Sequence, residues 1–316
     1  MRLFALALAV FSTQALPQTY PSKPIRMIVP LAAASAVDNA ARIVAQRMAD
    51  NMKGAIAVEN VPGAAGLIGA ERVAKSAPDG YTIAGFNDSI MTMVPNMYAK
   101  MPWDIQKDFE PVSLVATVEW GLVASNGSYA SAGELIAAAK ANPGKINYGS
   151  GGNGSPQHVA MALFASTAGI SLTHIPYKGA TQAALDVAAG QVPVAFQGIA
   201  TVASLARGGK LRLIGVSTPA RLPQFPEVPT VSESGLPGFE FNSWFAVMVP
   251  AGTPKDIIAR LHAEIVKALA DADVREKLNA QGLTVRGSSP EELRKATAEQ
   301  LAKYARLMKQ AGITAD

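Results

Sequence analysis

Gly149-Ser150-Gly151-Gly152-Asn153-Gly154-Ser155 can hold an anion with no charged side chain, because the run contains no Lys, Arg, Asp or Glu. The preceding Lys145-Ile146-Asn147-Tyr148 reads as a strand, and His158 to Phe164 reads as a helix. A glycine-rich loop between the two presents backbone N–H groups and the positive end of a helix dipole. Gly149-x-Gly151-x-x-Gly154 also fits a dinucleotide fingerprint. That motif needs an acidic residue about 20 positions further on, and Leu172 to Tyr177 offers none. Without a Gly-x-Ser-x-Gly elbow or a placed carboxylate pair, an enzyme has no candidate constellation.

Other polar residues stand at the ends of strand-like segments, and each has two readings. Asp38 immediately precedes an apolar-periodic run and reads as a helix N-cap, with ligand contact as the alternative. Ser35 is a direct or water-mediated contact, or a solvated loop residue. Ser155, just before Pro156, can cap a helix and donate its hydroxyl to a ligand. Asn87 and Ser89 close a strand that should face the same cleft. Lys178, beside Gly179, either meets a carboxylate or stays solvated. His158 in a first helical turn reads as a structural hydrogen bond, since no nucleophile or water is evident beside it for base catalysis. Gln197 ends a strand and is expected to face the cleft.

The elements that must position these residues alternate almost throughout. Strands are expected at Ile25–Pro30, Ala55–Glu59, Tyr81–Phe86, Leu172–Ile175, Val192–Phe196 and Leu211–Val216. Helices are expected from Asp38, over Gly69–Ala77, Ser131–Ala141 and Thr181–Ala189, and over Pro254–Ala270, Ala272–Gln281 and Pro290–Ala311. Thr253 and Ser289 are expected N-caps for the third-last and last of these, respectively. This βαβ rhythm predicts an α/β fold, and its restart after Val112–Val118 predicts two lobes with a cleft between them. Extended crossings near Trp120 and Trp244 are expected to form the hinge, with Trp244 packing there.

Composition narrows the function. The 316 residues suit two domains, and 49% hydrophobic with 16% charged residues is globular. A net charge of +4 without a basic block argues against nucleic acid. Cysteine is absent, and the three histidines include no i, i+4 pair, so neither disulfides nor those metal motifs are available. Arg2, the apolar run Leu3–Phe11 and the small-x-small Thr13-Gln14-Ala15 read as a secretory leader of residues 1–15. Its removal takes Arg2 away and leaves +3.

Several ordered motifs resemble one family. Tyr20-Pro21-Ser22-Lys23-Pro24-Ile25-Arg26 resembles the mature start of Bug-family proteins, the substrate-binding components of tripartite tricarboxylate transporters. Glu59 to Gly66 resembles the family's E-N-x-P-G-A-G-G, Ala77 to Thr82 its A-P-D-G-Y-T, and Tyr148 to His158 its Y-G-S-G-G-x-G-S-x-x-H. Pro176 to Gly179, Pro226 to Thr230 and Pro250 to Pro254 match as well, so the likeness runs from Tyr20 to Ile313.

The resemblance implies a periplasmic two-lobed Venus flytrap, each lobe a mostly parallel sheet flanked by helices. Residues 16–120 with 243–316 would form one lobe, and 121–242 the other. It implies a monomer that binds a small organic carboxylate (a dicarboxylate, a tricarboxylate or an aromatic acid such as terephthalate) without cofactor or metal. The acid would pass to membrane permease subunits; a sensory partner is the alternative. The ligand carboxylate would lie between the first loop, with Leu31, Ser35, Ala36 and Asp38, and the glycine-rich loop, with Gly151, Asn153, Gly154, Ser155 and His158. Asn87, Ser89, Lys178 and Gln197 complete the expected site. The first loop departs from the family's P-F-x-P-G-G-x-x-D. Leu31 takes the aromatic position, both glycines are gone, and Ala34 stands where a G-S-x-x-D variant has glycine. Gln197 stands where the family often has aspartate, which argues against an amino-acid ligand and for a dicarboxylate or aromatic acid.

Overall fold

The computed structural model of the chain describes residues 20–311 and 313–314. The expected leader lies outside them. Two sheets carry the fold. In the first, β1 (Ile25–Val29) pairs in parallel with β2 (Ile56–Asn60) and β3 (Thr82–Asn87). The helices α1 (Ala36–Met52) and α2 (Leu67–Ala74) make the crossovers. The long strand β4 (Phe109–Val118) then joins the other half of the same sheet. Glu119 alone separates it from β5 (Trp120–Ala124), which belongs to the second sheet.

The second sheet repeats the pattern. After α3 (Ala132–Ala141), β6 (Asn147–Ser150) pairs in parallel with β7 (Thr173–Pro176) and β8 (Val194–Gly198). Between them lie α4 (Pro156–Ala168) and α5 (Ala180–Ala188); α6 (Ile199–Arg207) and β9 (Arg212–Val216) follow. The chain returns to the first sheet as β10 (Ser243–Pro250) and ends in α7 (Lys255–Ala270), α8 (Ala272–Ala280), β11 (Leu283–Val285) and α9 (Pro290–Ala311). Strand orders are β11-β4-β10-β3-β1-β2 and β7-β6-β8-β5-β9. Both sheets are mixed rather than mostly parallel. β10 pairs antiparallel with β3 and β4, and β5 does so with β8 and β9, because the crossing strands enter each sheet from the opposite end.

Local chemistry sets most boundaries. Ser155 caps α4 by accepting from the His158 N–H, Pro156 occupies the first turn, and Gly169 ends the helix in the left-handed region at φ 63°. Ser289 and Glu292 form a reciprocal capping box at the start of α9, as the spacing predicts. Thr253 does not cap α7. Its hydroxyl turns back to donate to the Pro250 carbonyl, and Pro254 is the cap residue. α1 begins two residues before Asp38, with Ser35 as its N-cap. Neither α6 nor the three-residue β11 was expected from the sequence. Gly198 offers no capping side chain to announce α6. A π-helical turn at Ser89–Met93 also follows β3 without a sequence signal. Among the described residues no helix is long and apolar enough to cross a membrane.

The two crossings are tied side by side. Ser217 N–H donates to the Trp120 carbonyl, and Phe241 N–H donates to the Ser217 carbonyl. The Ser217 hydroxyl, itself buried, donates to the Phe241 carbonyl at 2.6 Å. Trp120 packs edge-on against Phe241, with ring centroids 5.4 Å apart. Losing a buried hydrogen bond of this kind costs about 1 kcal/mol net, and more where an acceptor is stranded. Ser217→Ala is therefore expected to lower unfolding free energy by about 1–2 kcal/mol, as read by urea denaturation.

Candidate functional site

One cavity of about 670 Å³ lies where the two sheets face each other. Five helices start on its wall: Ser35, Gly66, Ser155, Gly179 and Gly198, the N-cap residues of α1, α2, α4, α5 and α6, all line it. No Asp or Glu lines the cavity, and Lys178 is its one charged lining residue. Three of the caps are glycines without a side-chain cap bond. The first-turn N–H groups of those helices thus have no side-chain acceptor, and the positive dipole ends have no local counter-charge. The remaining wall is largely small and apolar, with Pro30, Ala32, Val118, Trp120 and Tyr177, while Asn87, Tyr98, Thr201 and Ser243 add neutral polar groups.

The expected residues divide cleanly. Leu31, Ser35, Ala36, Asn87, Ser89, Gly151, Asn153, Ser155 and Lys178 line the cavity. Asp38, Gly154, His158 and Gln197 do not. Asp38 is neither cap nor wall. It is buried in the first turn of α1 and braces the loop from behind. It accepts from the Ala34 N–H at 2.8 Å and from Arg42 and Asn60, and Asn60 in turn donates to the Leu31 carbonyl. Burial alone would raise the pKa of Asp38, but these hydrogen bonds outweigh it and hold the carboxyl below its ordinary range.

Gln197 is fully buried one layer behind the wall, where its Oε1 meets the Gln157 amide at 3.5 Å. Gln157 is the residue that reaches the cavity. The neutral side chain at 197 therefore says nothing direct about a ligand's tail. Gly154 and His158 also act from behind the wall. Gly154 N–H donates to Nδ1 of His158 at 3.2 Å, and the Gly154 carbonyl accepts from the Ser89 hydroxyl at 2.6 Å. Ser150 Oγ lies 2.5 Å from Nε2 of His174. Ser150 has no exposed surface and is not on the wall, so this serine–histidine pair cannot reach a substrate in the cavity. Trp244, expected at the hinge, is packed into the core of the first sheet, while Trp120, at the start of β5, lines the cavity.

Sequence reasoning missed three stretches of the wall: Pro62–Gly66, Tyr98, and the far side formed by Gly198, Thr201 and Ser243. The first had a signal, a glycine-proline run directly after a strand. Ser243 leads to a second carboxylate close behind the wall. Its hydroxyl donates to Asp88, which also accepts from Trp244 N–H. Burial pushes the Asp88 carboxyl up to about 7, so its negative charge is muted near neutral pH.

Known proteins match this architecture. The tripartite tricarboxylate transporter family receptor model matches residues 40–313. The chain belongs to this family. BugT of Bordetella pertussis is 35% identical over 93% of this chain and 91% of its own length. An R. palustris protein solved with adipate superposes with a TM-score of 0.90 at 30% identity, over 93% of this chain and 99% of that one. MatC from Rhodopseudomonas palustris with bound malate gives 0.86 at 28% identity, over 91% and 99%. The receptor described here has the Bug-family, two-lobed solute-binding fold.

Within that fold this receptor carries unusual backbone at the cavity wall, where Ala64 and Ala65 line the cavity and Ala34 adjoins the lining residue Ser35. Ala34, Ala64 and Ala65 all have positive φ, at 59°, 46° and 53°. Ala34 and Ala65 occupy positions where the resemblance implies glycine. An L-residue in the left-handed region costs about 1–2 kcal/mol, while glycine loses about 0.4–1 kcal/mol more backbone freedom on folding. Strain wins that comparison. Ala65→Gly and Ala34→Gly should each raise unfolding free energy by roughly 0.5–1 kcal/mol, measured by denaturant titration.

Proposed function

We propose that this receptor is a periplasmic protein that captures a small organic carboxylate in the cleft and delivers it to a membrane permease. The observation that carries this reading is the convergence of five helix N-termini on a cavity without an acidic side chain. Each such end favours an anion by about 0.3–1 kcal/mol when exposed and up to ~2 kcal/mol when partly buried. Summed over five ends that is about 1.5–5 kcal/mol when exposed and at most about 10 when partly buried, against about 8 kcal/mol for micromolar binding, so hydroxyl donors and apolar contacts must supply the remainder. The relatives with adipate and malate support the ligand class.

The largely apolar wall with one cationic side chain favours a dicarboxylate or aromatic acid over a tricarboxylate, since each further carboxylate must be desolvated against mostly apolar surface. One carboxylate would sit between the Ser35 and Ser155 ends, with the apolar wall against the ligand's body. Residues 16–120 with 243–316 would move as one lobe and 121–242 as the other, about the paired crossings. Closure would remove water and strengthen every hydrogen bond to the anion.

Thermal unfolding against a panel of organic acids tests the reading, since a ligand of the folded state raises the melting temperature by mass action. A dicarboxylate or aromatic acid should raise it, and its uncharged diamide should not. An equal shift with the diamide would refute anion capture. Gly179→Ala tests closure separately. Gly179 has an extended φ of 173°, so alanine introduces no backbone strain, yet its Cβ would lie 2.8 Å from that of Ala32 on the opposite lobe. Overpacking of this size costs about 1–3 kcal/mol. Affinity for the protective acid should fall at least tenfold by titration calorimetry, with the ligand-free melting temperature unchanged.

A further inference from the structure

We propose that the stacked pair His158 and His174 forms a proton-sensitive latch: while neutral it fixes the backbone conformation of Gly154 in which the carbonyl accepts from Ser89 across the cleft, and protonation releases it. The chain of contacts is continuous. Ser89, at the end of β3, donates to the Gly154 carbonyl at 2.6 Å, a direct lobe-to-lobe hydrogen bond between buried groups. The N–H of the same Gly154 donates to Nδ1 of His158. The His158 ring stacks on His174 with centroids 4.0 Å apart and planes 11° apart, and His174 stacks on Tyr148 at 4.9 Å. The Thr181 hydroxyl to Ala33 carbonyl bond, also between the lobes, is longer at 3.3 Å and exposed, and Gln224 Nε2 donates to the Asn279 carbonyl at 2.8 Å at an exposed site.

A neutral imidazole has one acceptor nitrogen, and an imidazolium has none. Protonating Nδ1 of His158 would set two N–H groups against each other, and Gly154 would have to turn. Its φ of +72° shows how much the position relies on glycine's freedom. The Gly154 N–H and C=O belong to adjacent peptide groups joined at its Cα, so relieving the clash by rotation about φ of Gly154 changes where the carbonyl points relative to Ser89. A second proton on His174 would place two cations face to face in a half-buried stack.

Nothing nearby compensates those charges. The titratable groups facing the two rings are each other, from α4 and β7, and the Tyr148 phenol on β6. β8 and the Ser89–Met93 turn, also packed on α4, contain no titratable residue, and no charged group of α9 perturbs either ring. Asp88, immediately before Ser89, is pushed up to about 7 by burial and also titrates in the histidine range, so His158→Asn, which leaves Asp88 intact, separates the two. Burial pushes His158 down to about 4, and burial followed by the charge of His158 does the same to His174. The folded arrangement thus favours neutral rings. Its contribution is complete above the ordinary histidine pKa of 6.5 and is lost as pH falls from there through about 4. The latch does not rest on the carboxylate-capture reading above.

The test therefore uses no ligand. The chain has no cysteine, and Ile68 on α2 and Leu185 on α5 are exposed on opposite lobes. I68C and L185C spin labels report lobe separation by pulsed electron–electron resonance. Between about pH 7.5 and about pH 4.5, across the histidine range, the labelled protein should shift to longer distances. His158→Asn places an amide oxygen near the Nδ1 position and does not titrate, so it should stay short at both pH values. Ser89→Ala leaves the histidines intact and should give the long distance already at the higher pH. An acid shift in His158→Asn equal to that of the unsubstituted pair would overturn the latch. So would an absent acid shift with His158 in place, or a short distance in Ser89→Ala.

Discussion

The aiming of several helix N-termini at one cavity constrains everything around it. Backbone N–H groups and dipoles cannot be moved without moving whole helices, so the surrounding charges must be arranged to suit them. Asp38 stands in the first turn of α1, where its charge would compete for the same dipole, but it is turned backward into Arg42 and Asn60. Asp88 stands between two wall residues, yet burial mutes its charge. Lys178 is the single cation on the wall and is exposed. The cavity's preference for an anion therefore comes from backbone, and changing it would require changing the fold rather than one side chain.

The second constraint is contact between lobes. Gly179 and Gly198 sit where lobe-facing Cβ atoms would crowd Ala32 and Ala36. Gly154 fits beneath Met97 for the same reason, since an added Cβ would come within 2.6 Å of its sulfur. Small residues on both sides let the helix ends approach closely enough to share one ligand, and the crossings at Trp120 and Phe241 keep them in register as they do so. The alanine-rich first loop follows this logic. It keeps a left-handed backbone at Ala34 that glycine would adopt with less strain, and Asp38 and Asn60 hold it there.

Much of this was legible in the sequence. The glycine-rich loop between β6 and α4 announced itself by composition, and Ser155 before Pro156 is a strong capping signal. The βαβ rhythm gave the lobes. What stayed hidden depended on depth and on partners distant in sequence. Asp38 looked like a cap because it precedes the periodic run, but Ser35 took that role, three residues earlier. Gln197 ends a strand as expected, yet one layer of packing separates it from the cavity, and Gln157 stands in front. No local pattern could show that Gly66, Gly179 and Gly198 bring three further helix ends to the same space, because their adjacency is made by strand order.

A crystal structure of the mature chain with a bound dicarboxylate would test the central claim most directly. The account predicts one carboxylate within hydrogen-bonding distance, about 3 Å, of backbone N–H groups or hydroxyls at the starts of both α1 and α4. A ligand whose carboxylates meet only Lys178 or solvent, leaving those helix ends unoccupied, would contradict it.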